Sequence, residues 1–287
     1  MNGMMKRNMR ILIAAMWLLL WAVPVHAHRA SAGAEFSVRA LLPEGQSNRD
    51  VAYFDLQTLP GDEHTLQVEV YNHGDEQITV DVRANEAISN AHGGIDYLVG
   101  SDEGGGFGEM VFIDMPAIDI EPGESVLAQI QLKMPQEGFD GEVLGGLVFT
   151  KRLNQDDMGA AAMSIRHSYN YCIAVRLTQG ELPQPMFSLD EVKLAERAGF
   201  AALVLAVRNE RALIVKDMEL DIKVYDAAGV QRFHWTGEGL SMAPNSLCPY
   251  TILMREGMPL YEGLYAAKVM LRYGGQTWDL GAVLEVS

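Results

Sequence analysis

The sequence predicts an all-β protein, two immunoglobulin-like β-sandwiches in tandem after a signal peptide, and three observations predict it. Short segments of alternating apolar and polar residues recur along both halves of the chain, helical periodicity does not intervene between them, and the second half of the chain repeats the turn chemistry of the first.

In the first half the strand-like segments are 36–42, 65–71, 77–83, 125–134, 143–151 and 168–177. Glu121-Pro122-Gly123-Glu124 supplies a turn, because proline pre-sets φ and glycine accepts positive φ. From Ser125 onward Val126, Leu127, Ile130 and Leu132 fall at near period two, as a half-buried strand requires. Gly145-Gly146 lies inside the next strand pattern, where it marks a bulge or a close backbone approach. The second half gives segments 189–194, 201–208, 216–225, 247–254, 264–273 and 277–286. Its echo of the first half is specific: strand, Asn72 turn, strand is matched by strand, Asn209 turn, strand. Pro122-Gly123 before a strand is matched by Pro244-Asn245 before a strand. The polar, period-free stretch 153–163 is the expected boundary, giving domains of 33–157 and 164–287. The strand at 164–177 either closes the first sheet or opens the second.

The N-terminus reads as a signal peptide: Lys6, Arg7 and Arg10 precede an apolar run over 11–23, and small residues follow at Ala27 and Ala32. The run is shorter than the roughly 20 residues that span a bilayer, so the leader 1–27 is expected to be cleaved, with a cut as late as 32 as the alternative. Removal takes three of 22 basic residues and none of 38 acidic ones, moving the formal charge from −16 to −19. Such acidity argues against a nucleic-acid partner. The mature length, about 255 residues, fits two domains of ordinary size.

Catalytic and metal chemistry find little support. Cys172 and Cys248 have no CxxC spacing and sit in apolar strand patterns, which favours two buried thiols over one bridge. His64, His73 and His92 have no metal-site spacing, and the serines lack a nucleophile elbow. The expectation is therefore no enzyme, no cofactor and no metal. The loop 90–109 combines aromatic faces with acids in Asp96, Tyr97, Asp102, Glu103 and Phe107, the equipment of a saccharide or peptide site. The alternative is a solvated acidic loop with Tyr97 and Phe107 packed as edge residues. Phe139 and Tyr261 are expected to anchor the core edge at corresponding corners.

Taken in order, Tyr53-Phe54-Asp55-Leu56, Tyr71-Asn72-His73-Gly74-Asp75, Gly94-Ile95-Asp96-Tyr97, Pro122-Gly123-Glu124-Ser125, Phe139-Asp140-Gly141 and Gly145-Gly146 resemble the first domain of the WxL-interacting proteins. Met242-Ala243-Pro244-Asn245-Ser246 and Gly263-Leu264-Tyr265 are similar to that family's second domain. The resemblance implies a peptidoglycan-binding domain followed by a host-binding domain, with peptidoglycan, WxL-domain proteins and host or extracellular surface proteins as partners. It also implies a secreted, cell-wall or cell-surface location. Members usually continue into a C-terminal transmembrane helix, and no such anchor follows Val286-Ser287 here, which leaves release, retention by wall and protein contacts, and retention by an uncleaved signal as the alternatives. The rival reading is a two-domain immunoglobulin-like secretion or assembly chaperone. It would need a basic cleft, for which Arg39, Arg83, Lys151 and Arg176 are the candidates.

Overall fold

The computed structural model describes residues 35–97, 106–152, 170–197, 199–254 and 260–286. The leader lies outside this set, as do Asp102, Glu103 and the expected boundary at 153–163.

The first sandwich is built from β1 (Phe36–Leu41), β2 (Phe54–Gln57), β3 (Glu63–Asn72), β4 (Ile78–Glu86), β7 (Val111–Ile113), β8 (Ala117–Ile120), β9 (Ser125–Lys133), β10 (Gly141–Lys151) and β11 (Asn170–Gln179). One sheet has the order β1-β3-β9-β7, and the facing sheet β2-β11-β10-β4-β8. The β2–β11 pair is parallel and the other ladders are antiparallel. Alternation fixes the inner faces: Leu66, Val68 and Val70 of β3 and Ala128, Ile130 and Leu132 of β9 point into a core that also holds Phe36, Phe54 and Phe149. The segment left open between the domains is thereby assigned. β11 pairs with β10 and β2, so it belongs to a sheet of the first sandwich, and the first strand of the second sandwich begins at Phe187. A fragment ending at Asp157 would lose the strand between β2 and β10.

The second sandwich has β12 (Phe187–Arg197), β13 (Phe200–Asn209) and β16 (Leu247–Leu253) in one sheet. β14 (Val215–Asp226), β15 (Gln231–Met242), β17 (Gly263–Tyr273) and β18 (Gln276–Val286) form the other, in the order β15-β14-β17-β18. Leu203, Leu205 and Val207 of one sheet face Leu220, Ile222 and Val224 of the other. A two-stranded hairpin, β5 (Ile88–Ser89) and β6 (Ile95–Asp96), and a one-turn helix, α1 (Phe107–Met110), complete the described fold.

The internal echo rests on buried asparagines. Asn72 and Asn209 are both fully buried. Asn72 Nδ2 donates to the carbonyls of Glu76 at 2.8 Å and Ile120 at 3.0 Å; Asn209 Nδ2 donates to those of Leu213 at 2.8 Å and Ala243 at 2.9 Å. Their backbone N–H groups donate to Glu124 O and Ser246 O, just past the two Pro-containing turns. Each amide thus ties a strand end to its own turn and to the turn of another strand, satisfying carbonyls that burial would otherwise leave unpaired.

The glycine pair allows a close approach. The ladders through Gly145 and Gly146 keep their register on both sides, so there is no bulge. A β-carbon on Gly145 would instead overlap the ring of Phe107, and one on Gly146 would lie 2.6 Å from Cys172 Sγ and 2.8 Å from Tyr97 Cβ. Gly145→Ala is therefore expected to destabilise the fold by about 1–3 kcal/mol through overpacking, read from the urea midpoint. Gly108→Ala, which meets only Glu86 Oε1 at 3.7 Å, should shift the same midpoint by under ~0.5 kcal/mol.

Candidate functional site

The first described part of the loop expected to carry a ligand site, residues 90–97, joins a clamp between the two sandwiches. Hairpin β5–β6 projects from the first sandwich and lies on β15 and β16 of the second. Backbone N–H groups of Ser241 and Thr251 donate to Gly93 O at 2.8 Å and Ala91 O at 2.9 Å. Ser89 Oγ lies 2.5 Å from Ser246 Oγ and accepts from Ala243 N at 2.9 Å. The Cys248 thiol donates to Asn90 O at 3.0 Å. Ala87, Leu144 and Ala243 form a small core at this seam, with Ile95, Tyr97 and Ile214 packed on it.

Beside the hairpin, β10 enters the same seam. Glu142 is 2% exposed, and its backbone N–H donates to Ala212 O at 2.7 Å. One carboxylate oxygen accepts from Ile214 N at 2.5 Å and the other from Arg176 Nε at 2.7 Å. Arg176 also pairs with Asp55 at 3.6 Å. A strand, an ion pair and a backbone exchange thus fix one sandwich on the other.

The predicted site residues separate accordingly. Asp96 is half-buried in β6, paired with Ile88. Tyr97 is half-buried over Gly146; its carbonyl accepts from Asn85 Nδ2 at 2.7 Å. Burial, then the neighbouring Cys172 and Tyr53, push its phenol up to about 12. Phe107 is fully buried over Gly145, with no ring face open to a ligand. Tyr97 thus packs at the seam and Phe107 in the first core. Asp102 and Glu103 lie outside the described residues. At the two corners, Phe139 packs on the first core, whereas Tyr261 is 73% exposed. The second corner is instead closed by Tyr265, whose hydroxyl donates to Tyr261 O at 2.9 Å and accepts from Tyr261 N at 3.0 Å.

Both thiols are free. Burial raises Cys172 to about 11, with Asp96 adding to it, and Cys248 to about 12. Among the described residues no three of His, Cys, Asp and Glu converge as a metal site, and no helix is long and apolar enough to cross a membrane. Of the four cations considered for a basic cleft, Arg39 pairs with Glu69, Lys151 with Glu35, and Arg176 with Glu142.

Open depressions among the described residues include one on each sandwich. On the second, about 520 Å³ lies over the outer face of the four-stranded sheet, around Tyr225, Lys268, Met270 and Gly281. Lys268 sits 5.5 Å above the Tyr225 ring, and Asp221 is held below the ordinary carboxylate range by hydrogen bonds from Lys223 and then His234. Leu264 and Val283, 58% and 72% exposed, extend the apolar part of this face. Sequence reasoning missed it, since period two fixes which residues face out but not that Gly281 opens a hollow among them. On the first sandwich, about 430 Å³ lies beside α1, between Glu109, Met110, Phe112 and Gln136.

Two tandem immunoglobulin-like sandwiches locked at one seam, with open sheet faces and binding-domain matches over both halves, define a modular binding protein. The chain belongs to the WxL-interacting protein family: residues 36–151 match the WxL Interacting Protein peptidoglycan binding domain, and residues 160–287 match the WxL Interacting Protein host binding domain. The second match takes in β11, which structurally completes the first sandwich. A search of curated proteins gives no match. Solved structures similar to the chain include a chaperone–tip adhesin complex of CFA/I fimbriae biogenesis, at 10% identity over 86% of this chain and 98% of that one, TM-score 0.39. The YadV chaperone is 11% identical over 88% and 100%, TM-score 0.37, and a Salmonella enterica SafA pilin–SafB chaperone complex 14% over 79% and 98%, TM-score 0.33. At these scores the likeness says nothing of activity.

Two outcomes follow from the seam and its thiols. Glu142→Ala should leave Arg176 without its main partner and cost about 3–5 kcal/mol, splitting the calorimetric unfolding into two transitions. A thiol whose folded pKa is raised favours the protonated, folded state below its ordinary value of 9.0. Stability should therefore fall as pH rises from about 9 toward about 11, and native Cys172 should react with a thiol reagent at pH 8 far more slowly than after unfolding.

Proposed function

We propose that the protein is a non-enzymatic, secreted binding protein of the cell wall that holds peptidoglycan through its first sandwich and a WxL-domain or host surface protein through its second. The observation that carries this reading is the pairing of two binding-domain matches with two sandwiches whose sheet faces stay open on either side of a rigid seam. The exposed apolar pair Leu264 and Val283, bordered by Lys268 and Asp279, supports a protein ligand on the second sandwich. It offers an apolar centre with a charged rim, as transient protein interfaces do.

Sedimentation with insoluble peptidoglycan tests the first half. The full chain should pellet at low salt, and if it stays in the supernatant the wall assignment fails. The double substitution Leu264→Arg, Val283→Arg should lower capture of a purified WxL-domain or surface protein at least tenfold while leaving sedimentation with the wall unchanged. Equal loss of both, or of neither, would remove this division of labour.

A further inference from the structure

The outer face of the sheet β1-β3-β9-β7 carries a pattern that packing does not require. Leu66, Val68 and Val70 of β3 and Ala128, Ile130 and Leu132 of β9 are buried, so their neighbours in sequence face solvent. Register aligns those outward residues in rows. Gln67 lies between Leu41 and Gln129, and the next row is Thr65, Gln131 and Phe112. Thr65 Oγ1 donates to Gln131 Oε1 at 2.9 Å, which fixes that amide with its NH₂ turned elsewhere. Gln129 is exposed, Gln67 and Gln131 half-buried, and Phe112 is 52% exposed at the strand edge beside the 430 Å³ depression.

Charge separates this face from the rest of the chain. The protein carries a formal −16, yet the outward residues of these four strands include two cations and two anions, already matched: Arg39 with Glu69 at 2.7 Å and Lys133 with Glu63 at 3.1 Å. A neutral surface of side-chain amides bordered by an aromatic ring suits a neutral ligand rich in hydroxyl and acetamido groups. Each glutamine offers two donors and an acceptor, and Phe112 an apolar face for a sugar ring. Rows of outward residues recur about every 7 Å along a strand, so one extended chain can meet amides from successive rows. A polyanion would gain nothing here, and an apolar peptide would leave the amides unpaired.

We propose that this face is the saccharide platform of the first sandwich, with Gln67, Gln129 and Gln131 hydrogen-bonding the N-acetylated glycan strand of peptidoglycan and Phe112 stacking on one of its sugar rings. The assignment rests on the peptidoglycan-binding reading above and adds to it the residues and the part of the polymer that is bound. Stem peptides are not the recognised element.

The test uses the full chain with Gln129→Ala and Phe112→Ala, both at exposed positions where folding should be little disturbed, as an unchanged melting temperature would verify. Each is expected to weaken sedimentation with peptidoglycan at least tenfold, and a tetramer of N-acetylglucosamine should compete the wild-type chain off the wall and shift its glutamine side-chain NH₂ signals in NMR. If wild type pellets but both folded variants pellet equally well, or if free stem peptide competes and the tetramer does not, the platform is wrong while the wall-binding reading stands. If wild type itself does not pellet, that reading falls and takes the platform with it.

Discussion

One buried carboxylate, Glu142, holds the arrangement of the whole described chain. It belongs to the first turn of contacts made by β10, a strand hydrogen-bonded on both sides by β11 and β4, so its position is set by the first sandwich. Its oxygens are nevertheless satisfied half by that sandwich, through Arg176, and half by the second, through the backbone of Ile214. Stripping water from a carboxylate is expensive unless charge and hydrogen bonds replace it. That replacement is complete only when the segment 212–214 is seated against β10. The acid therefore makes correct docking of the second sandwich a condition for its own burial, and Asp55 extends the same condition to β2.

Around this point the seam adds contacts of a different kind. The hairpin β5–β6 contributes backbone carbonyls that accept from Ser241, Thr251 and the Cys248 thiol, and the Ser89 hydroxyl, while the apolar part of the seam is only the small patch of Ala87, Leu144 and Ala243. Polar contacts of fixed geometry define an angle more narrowly than non-directional apolar burial does, so the seam behaves as a joint set at one angle. The two asparagine corners act likewise within each sandwich. Asn209 donates to Ala243 O, and Ala243 N donates to Ser89 Oγ across the seam, so the corner of the second sandwich is also its docking surface.

How much of this could be read from the chain depends on the range of the interaction. Strands β3, β9 and β17 alternate along most of their length and β4 and β14 along part of theirs, and β10 and β13 are continuous apolar runs, so the pattern located them all. β15 was missed because its pairing with β14 shifts register three times, which breaks the alternation. β2 was missed because four residues are too few to show a period. Asn72 and Asn209 stood out as turn residues, but their burial depends on carbonyls 48 and 34 residues away. The site residues were the least legible. Phe107 looks like a loop aromatic until Gly145, far along the sequence, is placed beneath it, and Asp96 and Tyr97 look like loop-tip groups until β16 covers the hairpin.

That displacement changes where recognition can occur. Loop tips are the usual place for binding residues on a sandwich, yet residues 90–97 of the long loop in this chain are spent on the seam and Phe107 on the first core. The open surface among the described residues includes sheet faces: a neutral amide-rich face on one domain and an apolar face edged by lysines and aspartates on the other. Flat sheet faces make many modest contacts and few deep ones, so a single short ligand would be held weakly. A repeating polymer compensates, because each further repeat binds at high effective concentration once the first is in place. On the proposed reading the rigid seam then has a purpose beyond stability. It keeps the second face at a set angle to a wall strand held by the first, so that a partner protein is presented in one orientation.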